Sequence, residues 1–174
     1  MGRNVEIKAR LSQAEFDRVM NLAGEMTTEP HQVLFQCDTF FNTAVDRLKL
    51  REFSDGSAEL IAYTRNDQHR PKASGYTRTL IPEPKGFLEA MRNSVGIRGV
   101  VEKRRDLFRV GPTRIHLDQV QGLGTFLELE VVLKIGQSVE QGVVIAEGLM
   151  LQLGIEPDWL ISNAYIDLLE SDGS

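Results

Sequence analysis

The sequence predicts an α+β fold: a predominantly antiparallel sheet of about eight strands, joined by hairpin-like connections, with helices inserted between them. Three observations predict it. Short runs alternate strictly between polar and apolar residues, as in Thr125-Phe126-Leu127-Glu128-Leu129-Glu130-Val131, which is the period of a half-buried strand. Gly, Pro, Asn and Asp cluster between those runs at Ser54-Asp55-Gly56-Ser57, Gly111-Pro112 and Gly122-Leu123-Gly124, the chemistry of tight turns. Two segments instead carry helical spacing behind a capping pair, Ser12 with Glu15 and Ser138 with Gln141.

Taken in order, Asn4–Arg10 alternates as a strand, with Asn4, Glu6, Lys8 and Arg10 on one face and Val5, Ile7 and Ala9 on the other. After Ser12, the apolar residues Phe16, Val19, Met20 and Ala23 fall at helical spacing, and the helix is expected to end near Gly24. A second strand fits Val33–Phe41, followed by a turn over Asn42–Asp46. Arg47-Leu48-Lys49-Leu50-Arg51 alternates with all three cations on one face, and Glu59–Arg65 returns as its hairpin partner. Asn66–Gly75 reads as a polar loop carrying Arg70 and Lys72, and Tyr76–Ile81 as another strand. Pro82 and Pro84 lead into a helix over about Lys85–Val95. Val100–Phe108 is a strand on which Lys103, Arg105 and Leu107 share a face. Thr113–Val120 places Arg114, His116 and Asp118 together, opposite Ile115 and Leu117. The alternating stretch through Glu128 and Glu130 follows, then a helix from Ser138 to about Leu153. Pro157 begins a short helical tail ending near Leu169.

With 174 residues, 41% of them hydrophobic, and no repeat or linker, the chain is expected to be one domain with its core over about residues 3–169. Cys37 is the only cysteine, which excludes an internal disulfide and any cysteine-cluster zinc site. A net charge of −5 argues against a binder of nucleic-acid polymers. No apolar run approaches the roughly 18 residues of a membrane span, and the first residues lack the apolar region of a signal peptide. A cytoplasmic protein without a membrane partner is expected. An apolar outer sheet face, if exposed, would favour a homodimer.

The charges on the strand faces are the unusual feature. Glu128 and Glu130 stand about 7 Å apart on one strand face by strand rise, where like charges repel. Cations dominate other strands: Arg47, Lys49 and Arg51; Lys103 and Arg105; Arg114 with His116. Two readings compete. The charged faces are solvated, which is the ordinary fate of such residues. Or the sheet closes so that they line a shared interior while helices cover the apolar faces, a geometry in which about eight strands leave room for one small ligand. In the second case the cations require an anion of comparable charge, and the carboxylates suit Mg²⁺ or Mn²⁺, which take oxygen ligands and bridge to phosphate. A polyphosphate satisfies both halves.

The residues that carry these charges also resemble a known family, the CYTH proteins or triphosphate tunnel metalloenzymes. These include class IV adenylate cyclases, thiamine triphosphatases and inorganic triphosphatases. The resemblance runs from Val5 to about Leu169. It rests on Asn4-Val5-Glu6-Ile7-Lys8 against the family's N-terminal Glu-x-Glu-x-Lys, on Gln36-Cys37-Asp38-Thr39-Phe40-Phe41, on Arg47-Leu48-Lys49-Leu50-Arg51, and on Lys103-Arg104-Arg105. The run from His116 to Glu130 and the closing Ala164-Tyr165-Ile166-Asp167-Leu168-Leu169 complete it. The resemblance implies an eight-stranded, closed or near-closed antiparallel β-barrel with peripheral helices, a tunnel that holds a triphosphate with Mg²⁺ or Mn²⁺. By position it implies Glu6, Glu128 and Glu130 as metal ligands with Asp118 as helper. It implies Lys8, Arg47, Lys49, Arg51, Lys103 and Arg105 as phosphate ligands, joined by Arg65 and Lys72. Lys8, Glu6 and Glu130 are the implied catalytic residues. Asn4 departs from the pattern by removing one carboxylate.

His116 reads either as a general base or as an interior residue satisfied by a neighbour, Tyr165 either as the closure of one tunnel mouth or as packing, and Cys37 as inert core. The function expected first is metal-dependent hydrolysis of a small triphosphate: inorganic triphosphate, thiamine triphosphate or a nucleoside triphosphate. Cyclisation of ATP to cyclic AMP and pyrophosphate is the alternative, and a non-catalytic polyphosphate-binding module the third.

Overall fold

The charges set at alternate strand positions need an interior to point into, and the eight strands supply one by closing on themselves. The computed structural model of the chain describes residues 2–64 and 72–172; for residue 2, residues 72–75 and residue 172 only the backbone is described. The element order is β1 (Gly2–Leu11), α1 (Gln13–Met26), β2 (Gln32–Phe41), β3 (Arg47–Phe53), β4 (Ala58–Tyr63), β5 (Lys72–Leu80) and α2 (Pro84–Ser94). Then come β6 (Ile97–Val110), β7 (Thr113–Val120), β8 (Gly124–Val132), α3 (Val139–Leu153), a 3₁₀ turn (Pro157–Trp159) and α4 (Tyr165–Asp172). Around the barrel the order is β1-β5-β4-β3-β2-β6-β7-β8, with β8 returning to β1. Each of these neighbouring pairs is antiparallel.

Closure decides between the two readings of the charged faces. The apolar faces of β1 (Val5, Ile7, Ala9), β7 (Ile115, Leu117) and β8 (Leu127, Leu129, Val131) point outward, where α1 and α3 cover them in the main core. α2 covers the outside of β3 and β4 through Phe87, Leu88 and Met91 against Leu50 and Ala58. The polar faces are left inside. Both capping boxes form as their sequences predict, Ser12 with Glu15 and Ser138 with Gln141.

Tight packing of α3 on β1 explains the glycine at position 142. A Cβ there would lie 2.6 Å from Leu133 Cδ2 and 2.7 Å from Val5 Cγ2, closer than two carbons can approach without moving.

Three boundaries differ from expectation. β5 begins at Lys72 rather than Tyr76, because residues 72–75 pair with Glu6–Arg3 of β1; the polar run looks like a loop until that partner is in place. β6 extends from Ile97 through Gly99 to Val110, held by β2 and β7 on its two sides. The expected continuous helical tail is broken. Pro157–Trp159 makes a single 3₁₀ turn, Ile161 N–H then donates to Lys8 O, and the helix resumes only at Tyr165. Cys37 sits half-buried on the outer face between Glu52 and Glu102 in the strand register, and not in the core. Burial and those carboxylates push its thiol pKa up. On the outer faces of β2 and β6, Val33, Phe35 and Val100 are exposed. Among the described residues no helix is long and apolar enough to cross a membrane.

Candidate functional site

The barrel interior is a cavity of about 770 Å³. Strand alternation places alternate residues of each strand on its wall: Asn4, Glu6 and Lys8 from β1, Gln36 and Asp38 from β2, Lys49 and Arg51 from β3. Glu59 of β4, Arg78 of β5, Lys103, Arg105 and Arg109 of β6, Arg114 and His116 of β7, and Glu128 and Glu130 of β8 complete the charged lining. One end is closed by the segment before α4 and by Tyr165, whose hydroxyl donates to Asp118 Oδ2 at 2.8 Å. The ammonium groups of Lys8 and Lys103 lie 4.5 and 5.2 Å from the Tyr165 ring centroid. Both expected roles of Tyr165 therefore hold together: it is buried, and it forms the floor of the cavity.

The cationic wall is organised by two buried aspartates. Asp38 Oδ1 accepts from Arg51 Nε, and Asp38 Oδ2 accepts from both Arg51 Nη2 and Lys49 Nζ, each at 2.7 Å. Burial alone would raise the Asp38 pKa, but Arg51 and Lys49 outweigh it and hold the carboxyl well below its ordinary value. Asp118 does the same for β6. Arg105 donates to it through Nε and Nη2, both at 2.7 Å, and Lys103 Nζ stands 3.8 Å away. Such two-pronged pairing fixes the guanidinium plane as well as its charge. Burial, followed by the repulsion of Arg105, brings Lys103 down to about 7, and burial with the repulsion of Arg51 brings Lys49 down to about 8.

The opposite wall is acidic. In the strand register Glu6 faces Glu130 and Lys8 faces Glu128 across β1 and β8, while Arg114 faces Glu130 and His116 faces Glu128 across β7 and β8. Lys8 Nζ lies 3.7 Å from Glu6 and 3.6 Å from Glu128, and Arg105 Nη2 is 3.4 Å from Glu128 Oε1. Burial and the negative charge of Glu128 push the Glu6 pKa up. For Glu128 the burial penalty is overcome by Arg105 and Lys8, and its pKa falls well below normal. His116 is lowered by burial and by Arg105; its Nδ1 is 3.4 Å from Glu128 Oε1, so it is an interior residue with a carboxylate neighbour.

Most of the expected site residues meet in this cavity: Glu6, Lys8, Lys49, Arg51, Lys103, Arg105, Glu128 and Glu130 all line it. Two do not. Arg47 lies at the closed end, where its Nη2 donates to both oxygens of Asp167 in α4 at 2.9 Å. Asp118 sits behind Arg105 with both oxygens engaged by that guanidinium and by Tyr165, which makes it a support for a cation. Arg65 lies outside the described residues. The backbone of Lys72 is described and pairs with Glu6. Sequence reasoning gave Asp38 no role, and it missed Arg78 and Arg109, which also line the cavity. Asp38 stands directly opposite Arg51 in the register, a relation that no local pattern in β2 contains.

The acidic wall fits a divalent cation by its chemistry. Glu6 and Glu130 are like charges directly opposed on neighbouring strands, a pairing that costs energy unless a cation or proton relieves it. Among the described residues, no three His, Cys, Asp or Glu side chains are gathered closely enough to hold a metal by themselves. Magnesium-type ions are commonly held by one or two carboxylates completed by substrate phosphates and water, and a wall of carboxylates facing a wall of buried cations is compatible with that demand.

Comparison with known proteins follows the same lines. The fold matches PH1012 from Pyrococcus horikoshii with a TM-score of 0.83 at 22% identity, covering 95% of this chain and 98% of that one. It matches HpAC1 from Hippeastrum, described as having a dominant triphosphatase activity, with a TM-score of 0.70 at 15% identity, over 99% and 96% of the two chains. The capping-enzyme triphosphatase of Mimivirus aligns with a TM-score of 0.60 at 15% identity, over 88% and 89%. A search of curated proteins found no match to the sequence. At these identities the structural likenesses establish the fold, while the CYTH domain profile matches residues 2–165 of the sequence itself. The chain belongs to the CYTH domain family.

Proposed function

We propose that this protein is a divalent-metal-dependent phosphohydrolase acting on a small triphosphate, either inorganic triphosphate, thiamine triphosphate or a nucleoside triphosphate. The observation that carries the reading is the division of one barrel cavity into two walls. Lys49, Arg51, Lys103 and Arg105 are presented on supports from Asp38 and Asp118, and Glu6, Glu128 and Glu130 face the same space. The dominant triphosphatase activity described for HpAC1 is consistent with it.

In this reading the four supported cations grip the phosphate oxygens, and Lys8, loosely held at 3.6–3.7 Å between Glu6 and Glu128, turns to meet them. Mg²⁺ or Mn²⁺ held at Glu6 and Glu128 would supply Lewis-acid neutralisation of phosphate charge. Water adds to the terminal phosphorus, the bridging P–O bond breaks, and its electron pair leaves on the diphosphate fragment. The water's proton ends on the phosphate products. Fixed guanidinium groups oppose the charge as it shifts, which is most of what phosphoryl transfer asks of a protein.

The test is product identification by mass after incubating the protein with triphosphate, thiamine triphosphate or ATP and Mg²⁺ or Mn²⁺. Orthophosphate with the matching diphosphate supports hydrolysis. Cyclic AMP with pyrophosphate would replace the reading by cyclisation, and retained triphosphate binding without any product would replace it by a binding module.

A further inference from the structure

Three of the glutamates that line the cavity, Glu6, Glu128 and Glu130, are not held alike. Glu130 has a close partner on each oxygen: Asn4 Nδ2 donates to Oε1, and Arg114 Nε donates to Oε2 at 2.8 Å. His116 Nε2 adds a third neighbour 3.9 Å from Oε2. Among the described residues, Glu6 and Glu128 are held through longer contacts, 3.7 Å from Lys8 to Glu6, 3.6 Å from Lys8 to Glu128, and 3.4 Å from Arg105 and His116 to Glu128. Asn4 is buried, lies two residues before Glu6 on the same face of β1, and is opposed to Val132 in the β8 register, close to Glu130. A carboxylate already paired with a guanidinium and holding a close hydrogen bond on each oxygen offers a cation less uncompensated charge and fewer free lone pairs than one in loose contact with a mobile ammonium.

We propose that Glu130 is a positioning residue in this chain: Asn4 and Arg114 hold its carboxylate to the wall, and Glu6 and Glu128 alone, with substrate phosphate, carry a single divalent cation. The inference rests on the proposed triphosphate site and divides the labour within it. Two carboxylates and phosphate oxygens are a normal set for one ion of this type. Glu130 instead fixes Arg114 and Asn4 beside that ion, the role usually taken by groups behind the coordinating shell. The amide at position 4 is central, because it can donate to Glu130 where a carboxylate could only repel it.

Electron paramagnetic resonance counts bound Mn²⁺ directly, using the protein with a triphosphate analogue whose bridging oxygens are replaced by NH, so that turnover does not enter. The expected wild-type result is one Mn²⁺ per chain. Glu128→Gln should weaken that site by more than about a hundredfold, whereas Glu130→Gln, whose amide still accepts one of the two hydrogen bonds, should stay within the roughly ten- to hundredfold loss of a supporting residue. Asn4→Glu should raise the count to two, since the new carboxylate repels Glu130 from its hold. If that variant does not fold, the comparison of the two Gln variants decides. Two ions in the wild type, or equal losses in Glu128→Gln and Glu130→Gln, would overturn the inference while leaving the triphosphate site standing. A wild type that binds the analogue but no Mn²⁺ would overturn it together with the metal dependence of the site, and one that binds neither would overturn the site as well.

Discussion

Asp38 neutralises two cations that would otherwise repel each other along β3, and it does so from 2% exposure. Removing one partner of a buried ion pair leaves charge uncompensated, at a cost of about 3–5 kcal/mol. Asp38→Asn is therefore expected to lower the midpoint of thermal unfolding substantially, and added triphosphate should recover more of the loss than it adds to the wild type. An unchanged midpoint would show that Lys49 and Arg51 do not depend on it. Lys103 provides a second handle at this scale. Its pKa falls from 10.5 to about 7 on folding, so between those values the unfolded chain binds more protons. Stability contributed through this residue therefore rises as pH increases from about 7 toward 10.5, and the burial penalty is greatest below 7. A bound triphosphate favours the charged form, so binding near pH 8 should take up protons and weaken as pH rises further. Calorimetry in two buffers of different ionisation heat should find greater proton uptake for the wild type than for Lys103→Arg, whose side chain stays charged. Equal uptake would remove Lys103 from the phosphate site. The cations themselves were legible in the sequence because they recur at every second position. Their aspartate supports were not, since Asp38 and Asp118 act across strands and their register emerges only on folding.

The elements divide into those that local sequence specifies and those that need a partner. β8 and the helices behind Ser12 and Ser138 were readable because alternation and capping boxes are written within a few residues. The start of β5 was not, because residues 72–75 carry no alternating apolar pattern and are ordered as strand by β1. Arg47's partner was hidden for a related reason. Its position on β3 was read correctly, yet its side chain is claimed by Asp167 of α4, 120 residues away in sequence. Packing of α3 on β1 offers a test in which two principles disagree. Helix propensity alone predicts that Gly142→Ala stabilises by about 1 kcal/mol. The contacts of 2.6 and 2.7 Å that its Cβ would make with Leu133 and Val5 predict destabilisation by about 1–3 kcal/mol instead. Urea denaturation should show a lower midpoint for the variant; a higher one would mean that α3 sits more loosely on the barrel than described.

At the scale of the whole molecule, the barrel inverts the usual arrangement of a small domain. Its apolar core lies outside the sheet, beneath α1 and α3, and its interior is given to charge. Such an interior suits the proposed ligand, whose charges the two walls would neutralise jointly. Release of orthophosphate from inorganic triphosphate, followed with and without Mn²⁺ in the wild type and in Glu128→Gln, tests this most directly. The account predicts metal-dependent release by the wild type. In Glu128→Gln it predicts a fall to the metal-free background, with the unfolding midpoint preserved and triphosphate still bound by the cationic wall. Equal metal-dependent rates in the two proteins would contradict it.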